Sequence, residues 1–217
     1  MKFTYSIPPK ILFGPGSFND LATTPLPGKK AFVVITAGKS MRANGYLDRL
    51  IDMLDKQGIG HALFDKILPN PVLRHVHEGA ALAREQGCDF VIGLGGGSSI
   101  DSAKSIAVMA KNPGDYWDYI SGGSGKGQPL VNGALPIVAI ATTAGTGTEA
   151  DPWTVITKED TNEKIGFCCA ETFPVLSVVE PEMMLTIPAH LTAYQGFDAL
   201  FHATEGYIAN VATPLSD

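Results

Sequence analysis

Short apolar segments alternate with amphipathic segments along most of this chain. Four segments rich in apolar and β-branched residues indicate strands, at residues 31–36, 61–64, 89–94 and 135–141. Three segments with apolar residues at helical spacing lie between them, at residues 46–57, 72–86 and 99–110. Because a strand, a helix and a second strand in succession place the two strands parallel, the sequence predicts an α/β fold with a Rossmann-like, doubly wound and mostly parallel sheet.

The character of the chain changes near Pro188. Residues 190–210 carry no strand signal and have a helical pattern, whereas all the predicted strands come earlier. We therefore predict a first domain at residues 1–187 and the beginning of an all-helical second domain at residues 188–217. So short a segment cannot form a core of its own, and we expect the chain to stop inside this domain. Within the first domain, five glycines indicate a flexible surface loop at residues 121–133.

The composition excludes several classes of protein. With 45% apolar and 18% charged residues, the 217-residue chain can bury a core. Its net charge is −6, and its basic residues are interspersed with acids and do not form the face that a nucleic acid requires. No apolar run approaches the ~20 residues that span a bilayer, and residues 1–9 do not resemble a signal peptide. The three cysteines have no zinc-like spacing, so we expect free thiols in a cytoplasmic protein without nucleic-acid or membrane partners.

A glycine-rich run follows the third predicted strand and opens a helix. Residues 95–101 read GGGSSID, in which Gly96 and Gly97 allow a close approach of the backbone to a ligand and Ser98 adds a hydroxyl donor. The free N–H groups and the dipole of a helix N-terminus favour a phosphate. The spacing differs from the G-x-G-x-x-G fingerprint of dinucleotide sites. The alternative is a tight turn in which Ser98 or Ser99 caps the helix.

A second polar loop follows the fourth predicted strand. Residues 142–149 read TTAGTGTE, and the hydroxyls of Thr142, Thr143 and Thr146 can hydrogen-bond the sugar and phosphates of a nucleotide. The alternative is a threonine-rich turn that caps a helix. Ligands of open α/β sheets bind at the carboxyl ends of the strands, where both loops are expected. Two such loops at one edge of a sheet favour a bound nucleotide.

Asp198 and His202 are a candidate pair of metal ligands. They are four residues apart in a predicted helix and therefore project from one face. A carboxylate and an imidazole suit iron, zinc or manganese, although two ligands leave a site incomplete. Alternatively, Asp198 caps a helix or the pair is a surface contact. The other histidines have no obvious place in this site: His61, His75, His77 and His190.

Three segments together resemble the iron-containing (group III) alcohol dehydrogenase family. Residues 95–104 resemble its pyrophosphate loop, residues 141–149 its second nucleotide loop, and residues 196–207 its metal helix. The order and spacing of the segments are also similar, and the resemblance extends over essentially the whole chain.

The resemblance implies a dinucleotide-binding domain, an all-helical domain and a metal in the cleft between them. It implies cofactor contacts at Asn70, Gly96, Gly97, Ser98, Asp101, Thr142, Thr143, Thr146, Val155 and Lys164. In the family one Asp and three His hold Fe²⁺, sometimes Zn²⁺, and Asp198 and His202 match the first two ligands. The other two histidines would lie beyond residue 217. The resemblance also implies that Trp153 borders the substrate pocket.

The choice of cofactor depends on the loop after the first predicted strand. NAD-dependent members of the family carry an Asp directly after the position of Thr36, and this chain has Ala37 there. The loop resembles that of members that accept a 2′-phosphate. We therefore predict NADP, with NAD as the alternative, and contacts at Gly38 and Ser40.

The implied activity is hydride transfer between a metal-bound small alcohol or aldehyde and a nicotinamide cofactor. The metal acts on the alcohol oxygen as a Lewis acid, and no side chain of this chain need be the general base. We expect a homo-oligomer, a dimer or larger, and we expect the 217-residue chain alone to be inactive. The alternatives are a hydroxyacid–oxoacid transhydrogenase-type transferase, a zinc enzyme resembling glycerol dehydrogenase or dehydroquinate synthase, and a non-catalytic nucleotide-binding module.

Overall fold

Six parallel strands form the central sheet of the computed structural model, which describes residues 6–213. Side by side, the strands are β1 (Lys10–Phe13), β8 (Leu176–Val179), β5 (Ile137–Ala141), β4 (Phe90–Gly95), β2 (Lys30–Thr36) and β3 (Gly60–Ile67). Every neighbouring pair runs parallel. The predicted α/β class and parallel sheet are therefore confirmed.

Helices cover both faces of the sheet, because successive residues of a buried strand point to opposite sides. The odd-numbered residues of β2 pack in one apolar cluster with α2 (Tyr46–Lys56). Its even-numbered residues pack in another with α3 (Leu73–Glu85) and α4 (Gly97–Lys111). The sheet is doubly wound, as the alternating pattern predicts.

The predicted strands and helices are present with shifted ends. The shift that matters for the site is at α4, which begins at Gly97, two residues before the predicted start. β3 continues to Ile67, and a short helix, α1 (Ser40–Ala43), follows β2.

Four strands have no clear pattern in the sequence. β1 and β8 complete one side of the sheet, and β6 (Thr154–Lys158) and β7 (Glu163–Phe167) form a separate antiparallel hairpin. β1 is an edge strand with mostly exposed residues, and β8 has four residues, so neither produces a long apolar run. The hairpin interrupts the strict alternation of strand and helix that the sequence predicts.

Residues 121–133 form an irregular loop, and hydrogen bonds tie it to its surroundings. The N–H of Gly127 donates to the carbonyl of Ile120 at 2.8 Å. The carboxylate of Glu163, in the hairpin, accepts from the N–H and the hydroxyl of Ser124 at 2.6 and 2.5 Å. These contacts anchor the loop on β7, and its predicted flexibility stays a prediction.

The last helix, α5 (Ala189–Ile208), begins directly after Pro188, near the predicted domain boundary. None of its residues is buried. Asp198 lies in the middle of this helix, so the alternative in which it caps a helix is wrong. Among residues 6–213, no helix combines the length and the apolar character that crossing a lipid bilayer demands.

Candidate functional site

A cleft of about 880 Å³ opens at the carboxyl ends of the central strands. The loops after β3, β4 and β5 meet there with the hairpin and with α5. This convergence follows from the topology, because neighbouring parallel strands end at the same edge of a sheet. Ten of the predicted site residues line the cleft: Asn70, Gly97, Ser98, Asp101, Thr146, Trp153, Val155, Lys164, Asp198 and His202.

The glycine-rich run forms the N-terminus of α4. The N-cap residue is Gly96, and no side chain caps the helix, so the alternative with Ser98 or Ser99 as the cap is wrong. Gly97 and Ser98 belong to the first turn, whose N–H groups have no acceptor within the helix. Both residues line the cleft. This end of α4 can therefore receive an anionic group.

The two polar loops pack against each other. A Cβ atom on Gly96 would lie 2.8 Å from Thr143 Oγ1, and one on Gly97 would lie 3.0 Å from Thr146 Cγ2. The glycines therefore permit the approach of the threonine loop as well as that of a ligand. Three of the predicted cofactor contacts, Gly96, Thr142 and Thr143, do not line the cleft, and Thr142 is buried.

The threonine loop continues into turns and then into β6, so the alternative in which it caps a helix is wrong. Gly145 adopts a φ of +117°, and a Cβ atom there would come within 2.7 Å of the carbonyl oxygen of Gln195. The N–H of Ala144 donates to Gln195 Oε1 at 2.9 Å, and the carbonyl of Gly145 lies 3.1 Å from His202 Nδ1. The loop that follows β5 is thus joined to α5.

Asp101 connects α4 to two other parts of the site. Its Oδ1 accepts from the Thr148 hydroxyl at 2.7 Å, and its Oδ2 accepts from the N–H of Val155 at 2.9 Å. Burial raises the pKa of this carboxyl to about 6, although both hydrogen bonds act in the opposite direction. The side chain therefore holds the threonine loop and the start of β6 against α4.

Lys104, one turn further along α4, is completely buried. Its Nζ lies 2.6, 2.9 and 2.7 Å from the main-chain oxygens of Thr148, Asp151 and Trp153. Burial lowers the pKa of Lys104, and the Asp151 carboxylate opposes this change. A charged group in this position fixes the chain between the threonine loop and β6.

The hairpin contributes another wall. Trp153 precedes β6; the residue is 53% exposed and lines the cleft. Its ring lies over Gly166, where a Cβ atom would be 3.2 Å from Cε3. Lys164, in β7, donates to Asn70 Oδ1 at 2.8 Å, and Asn70 has an unusual φ of +58°. The hairpin and the loop after β3 are thereby connected at the cleft.

Asp198 and His202 line the cleft from successive turns of α5. Asp198 Oδ1 and His202 Nδ1 are 3.9 Å apart, and about half of each side chain is exposed. Oxygen and nitrogen donors suit Fe²⁺ or Zn²⁺, and the contact of Nδ1 with Gly145 leaves Nε2 available. Within residues 6–213, no three or more His, Cys, Asp or Glu side chains are arranged to hold a metal ion. The pair fits part of a metal site.

The loop predicted to select the cofactor lies at the carboxyl end of β2, outside the lining of the cleft. Gly38 and Ser40 are exposed, and Ser40 begins α1. Arg42 is paired with Asp65, with 2.6 Å between Nη2 and Oδ2. Arg42, the arginine of this loop, therefore already has an acidic partner.

The sequence profile of the iron-containing alcohol dehydrogenase family matches residues 8–181. The chain belongs to this family. The matched region contains the sheet, both polar loops and the hairpin, and it ends before α5. The resemblance to this family is confirmed.

Three relatives each match 98% or 99% of the chain. It is 38% identical over 216 residues to choline dehydrogenase of Bacillus subtilis (strain 168), covering 99% of the chain and 53% of that protein. It is 36% identical over 215 residues to NAD-dependent methanol dehydrogenase of Bacillus methanolicus, covering 98% and 55%. The crystal structure of NADH-dependent butanol dehydrogenase A from Thermotoga maritima matches with a TM-score of 0.89 and 34% identity, covering 99% and 53%. The chain thus spans about half the length of these relatives.

Some residues that shape the cleft of this member of the family were not identified from the sequence. A lysine in a helix normally faces solvent, so nothing in the pattern around Lys104 indicated its burial. Glu205 could have been identified from its spacing in the sequence. It continues one face of α5 at helical spacing, after Gln195, Asp198 and His202. Glu205 lines the cleft with the two predicted ligands.

Proposed function

We propose that the protein is an oxidoreductase that transfers a hydride between a small alcohol or aldehyde and a nicotinamide cofactor. The observation that carries this proposal is the cleft, which is lined by the N-terminus of α4, by Trp153 and by the pair Asp198 and His202. An anion site, an apolar wall and two metal donors around one cavity are the parts that this reaction uses. Membership of the iron-containing alcohol dehydrogenase family supports it.

The first part of the proposal concerns the cofactor. The N–H groups of Gly97 and Ser98 are available to the pyrophosphate at the N-terminus of α4, and the Ser98 hydroxyl adds a further donor. When bound, the nicotinamide supplies the acceptor of the hydride. The absence of an Asp at Ala37 is the basis for proposing NADP, whereas the names of the methanol and butanol relatives include NAD or NADH. We therefore propose NADP as the cofactor, with NAD as the alternative.

The second part concerns the metal. The Asp198 carboxylate and His202 Nε2 would hold Fe²⁺ or Zn²⁺, which supplies Lewis acidity toward the alcohol oxygen. The chain itself orients the imidazole through the contact of Nδ1 with the carbonyl of Gly145. A stable site of this kind has roughly three or four protein ligands, so we infer that further ligands lie outside residues 6–213.

The third part concerns the substrate. The indole of Trp153 occupies part of the cleft wall, and a large aromatic group there limits the size of the molecule beside it. Three relatives are named for choline, methanol and butanol. We propose small primary alcohols or diols and the corresponding aldehydes as substrates.

The test is a dehydrogenase assay on the protein expressed from its complete reading frame and loaded with Fe²⁺ or Zn²⁺. Formation of NADH or NADPH from methanol, butanol or 1,3-propanediol, and its loss on chelation, is the expected result. Exchange of hydride between a hydroxyacid and an oxoacid without net NAD(P)H would establish the transferase alternative instead. Nucleotide binding without either reaction would reduce the protein to a binding module.

The role of Trp153 is tested with the same assay. Trp153→Ala is expected to shift activity toward bulkier alcohols, because it enlarges the cleft. Trp117→Phe is the matched control, since Trp117 is buried and does not line the cleft. Identical substrate profiles for the two variants would remove Trp153 from the substrate wall.

A further inference from the structure

Lys104 is a completely buried ammonium group in an otherwise apolar and hydroxyl-rich part of α4. Burial of a cation is strongly unfavourable unless acceptors replace the lost water. Three main-chain oxygens and the Thr148 hydroxyl lie within 2.9 Å of Nζ, and Asp151 Oδ1 lies at 3.3 Å. All these acceptors belong to the segment of residues 148–153.

This segment has no helix or strand of its own to satisfy its carbonyl groups. The ammonium group supplies that function, because its three donors can reach three carbonyls of an irregular chain at once. Asp101, three residues earlier on the same face of α4, holds the segment at Thr148 and the following strand β6 at Val155. One helix face thus fixes the whole connection between the threonine loop and β6.

The fixed segment is also a wall of the cleft. Thr148, Asp151 and Trp153 all line the cavity. The carbonyl of Trp153 lies 2.7 Å from Lys104 Nζ, and its N–H donates to Asp151 Oδ1 at 2.8 Å. The backbone of Trp153 is therefore held on both sides, while its ring is exposed to the cleft and lies over Gly166.

We propose that Lys104 is a positioning residue, which sets the place of the Trp153 ring and with it the size of the alcohol that the cleft admits. Lys104 does not line the cleft and acts only through the segment that it holds. The inference rests on the proposed function, because it takes Trp153 as the wall beside the substrate. Arginine is a poor replacement, since its planar fork cannot donate to three carbonyls in the arrangement that the ammonium group satisfies.

The intrinsic fluorescence of Trp153 tests this proposal without substrate or metal. Trp117 is the other tryptophan, and its indole N–H has no hydrogen-bond partner within residues 6–213, so Trp117→Phe removes no such bond. In that background, Lys104→Met is expected to raise the acrylamide quenching constant of Trp153 by about twofold, because the released carbonyls leave the segment mobile. Lys111→Met, an exposed lysine on the same helix, is the matched control and should leave quenching unchanged.

Two results would overturn the proposal. A folded Lys104→Met variant with a lowered Tm but unchanged Trp153 quenching would mean that Lys104 contributes to stability alone. Should Lys104→Met fail to fold by circular dichroism, Thr148→Val decides, because it removes one acceptor of Lys104 and the donor to Asp101 in a side chain of the same shape. Quenching equal to that of the parent in this second variant would also overturn it.

The same samples separate this inference from the proposed function. Titration of the parent with NADP and with NAD reports nucleotide binding, which the quenching experiment does not require. Absence of binding of either nucleotide would overturn the proposed function and leave the role of Lys104 in positioning the Trp153 ring intact. Nucleotide binding by the parent, together with unchanged Trp153 quenching in Lys104→Met, would overturn the role of Lys104 and leave the proposed function intact.

Discussion

The two sides of the cleft are built in different ways. On one side, ten residues of α4 are buried, and Asp101 and Lys104 hold the neighbouring segments through short hydrogen bonds. On the other side, α5 has no buried residue. It is joined to the threonine loop through Gln195 and His202. The α4 side, where we propose the nucleotide site, is part of the core of the domain. The α5 side, where we propose the metal ligands, lies on its surface.

Because of this difference in burial, we expect the two sides to contribute differently to stability and to ligand binding. Burial of apolar area stabilises α4 at about 25 cal/mol per Å², so the shape of the α4 side is set when the domain folds. An exposed helix with few tertiary contacts has low local stability, and its geometry depends on what binds it. Substitutions on the α4 side should therefore change folding and nucleotide affinity, and those on α5 should change metal affinity alone.

The largest effect is expected for Gly97→Val. The added side chain would meet Thr146, 3.0 Å from the new Cβ atom, and would enter the cleft at the N-terminus of α4. Nucleotide affinity should fall by more than about 100-fold, equivalent to about 2.7 kcal/mol, as measured by calorimetric titration with NADP and NAD. Gly206→Val is the control, because a Cβ atom on that residue of α5 would meet nothing within 4 Å. Equal affinity in the two variants would make the glycine run a simple turn.

The next effect concerns pH and the buried carboxyl of Asp101. The pKa of Asp101 is about 6 in the folded protein, compared with 3.8 for an ordinary aspartate exposed to solvent, as in the unfolded chain. Folding therefore favours the protonated form of this carboxyl. This group therefore contributes most stability below pH 3.8, and that contribution is lost as the pH rises to about 6. Urea unfolding of Asp101→Asn should show the variant gaining about 2 to 3 kcal/mol relative to the parent across this window.

A carboxylate with the opposite shift provides the control for Asp101. Hydrogen bonds from Ser124 and Thr161 lower the pKa of Glu163, so its contribution to stability is present at neutral pH and is lost on acidification. Relative to the parent, Glu163→Gln should become less stable as the pH rises, in contrast to Asp101→Asn. The same trend in both variants would contradict the assignment of the Asp101 shift to burial.

A smaller effect is expected on the α5 side. Removal of the imidazole by His202→Ala should weaken Zn²⁺ binding to the 217-residue chain by about tenfold and leave the free energy of unfolding and nucleotide affinity unchanged. His190→Ala removes an exposed imidazole from the first turn of the same helix and is the matched control. Loss of nucleotide affinity in His202→Ala would contradict the independence of the two sides.

The smallest effect concerns the exposed loop after β2. Ala37→Asp places a negative charge near the proposed 2′-phosphate, and repulsion of about 1 kcal/mol in water corresponds to about a fivefold shift from NADP toward NAD. Competition between the two dinucleotides measures it. Gln128→Glu adds the same charge at an exposed position outside this loop and is the control. A parent that already prefers NAD would refute the NADP prediction.

The central part of the fold was predictable, because β2, β4 and β5 are buried on both faces and therefore appear as continuous apolar runs. β8 was not, since it contributes four residues, one of them the buried Ser177. The β6–β7 hairpin was also missed. Its strands do carry β-branched residues such as Val155 and Ile156, and the intervening turn contains Asn162 at a φ of +53°.

The candidate site was predictable where it depends on the ends of strands and not where it depends on packing. Asp101 and the glycine run follow β4 directly, so their place at the cleft follows from the parallel sheet. Lys104 is buried because the segment of residues 148–153 folds over it, a contact between parts of the chain more than 40 residues apart. Sequence spacing within one helix contains no trace of such a partner.

The exposure of α5 affects the apparent affinity with which the chain can bind a metal ion. Asp198 and His202 can act together only while the turn between them is helical, and a helix without buried residues depends on a weak helix–coil equilibrium. The apparent affinity is then the intrinsic affinity multiplied by the fraction of molecules in which that turn is formed. Binding of the ion raises this fraction in return. The backbone amides of α5 should therefore exchange with deuterated solvent more slowly when the metal is bound.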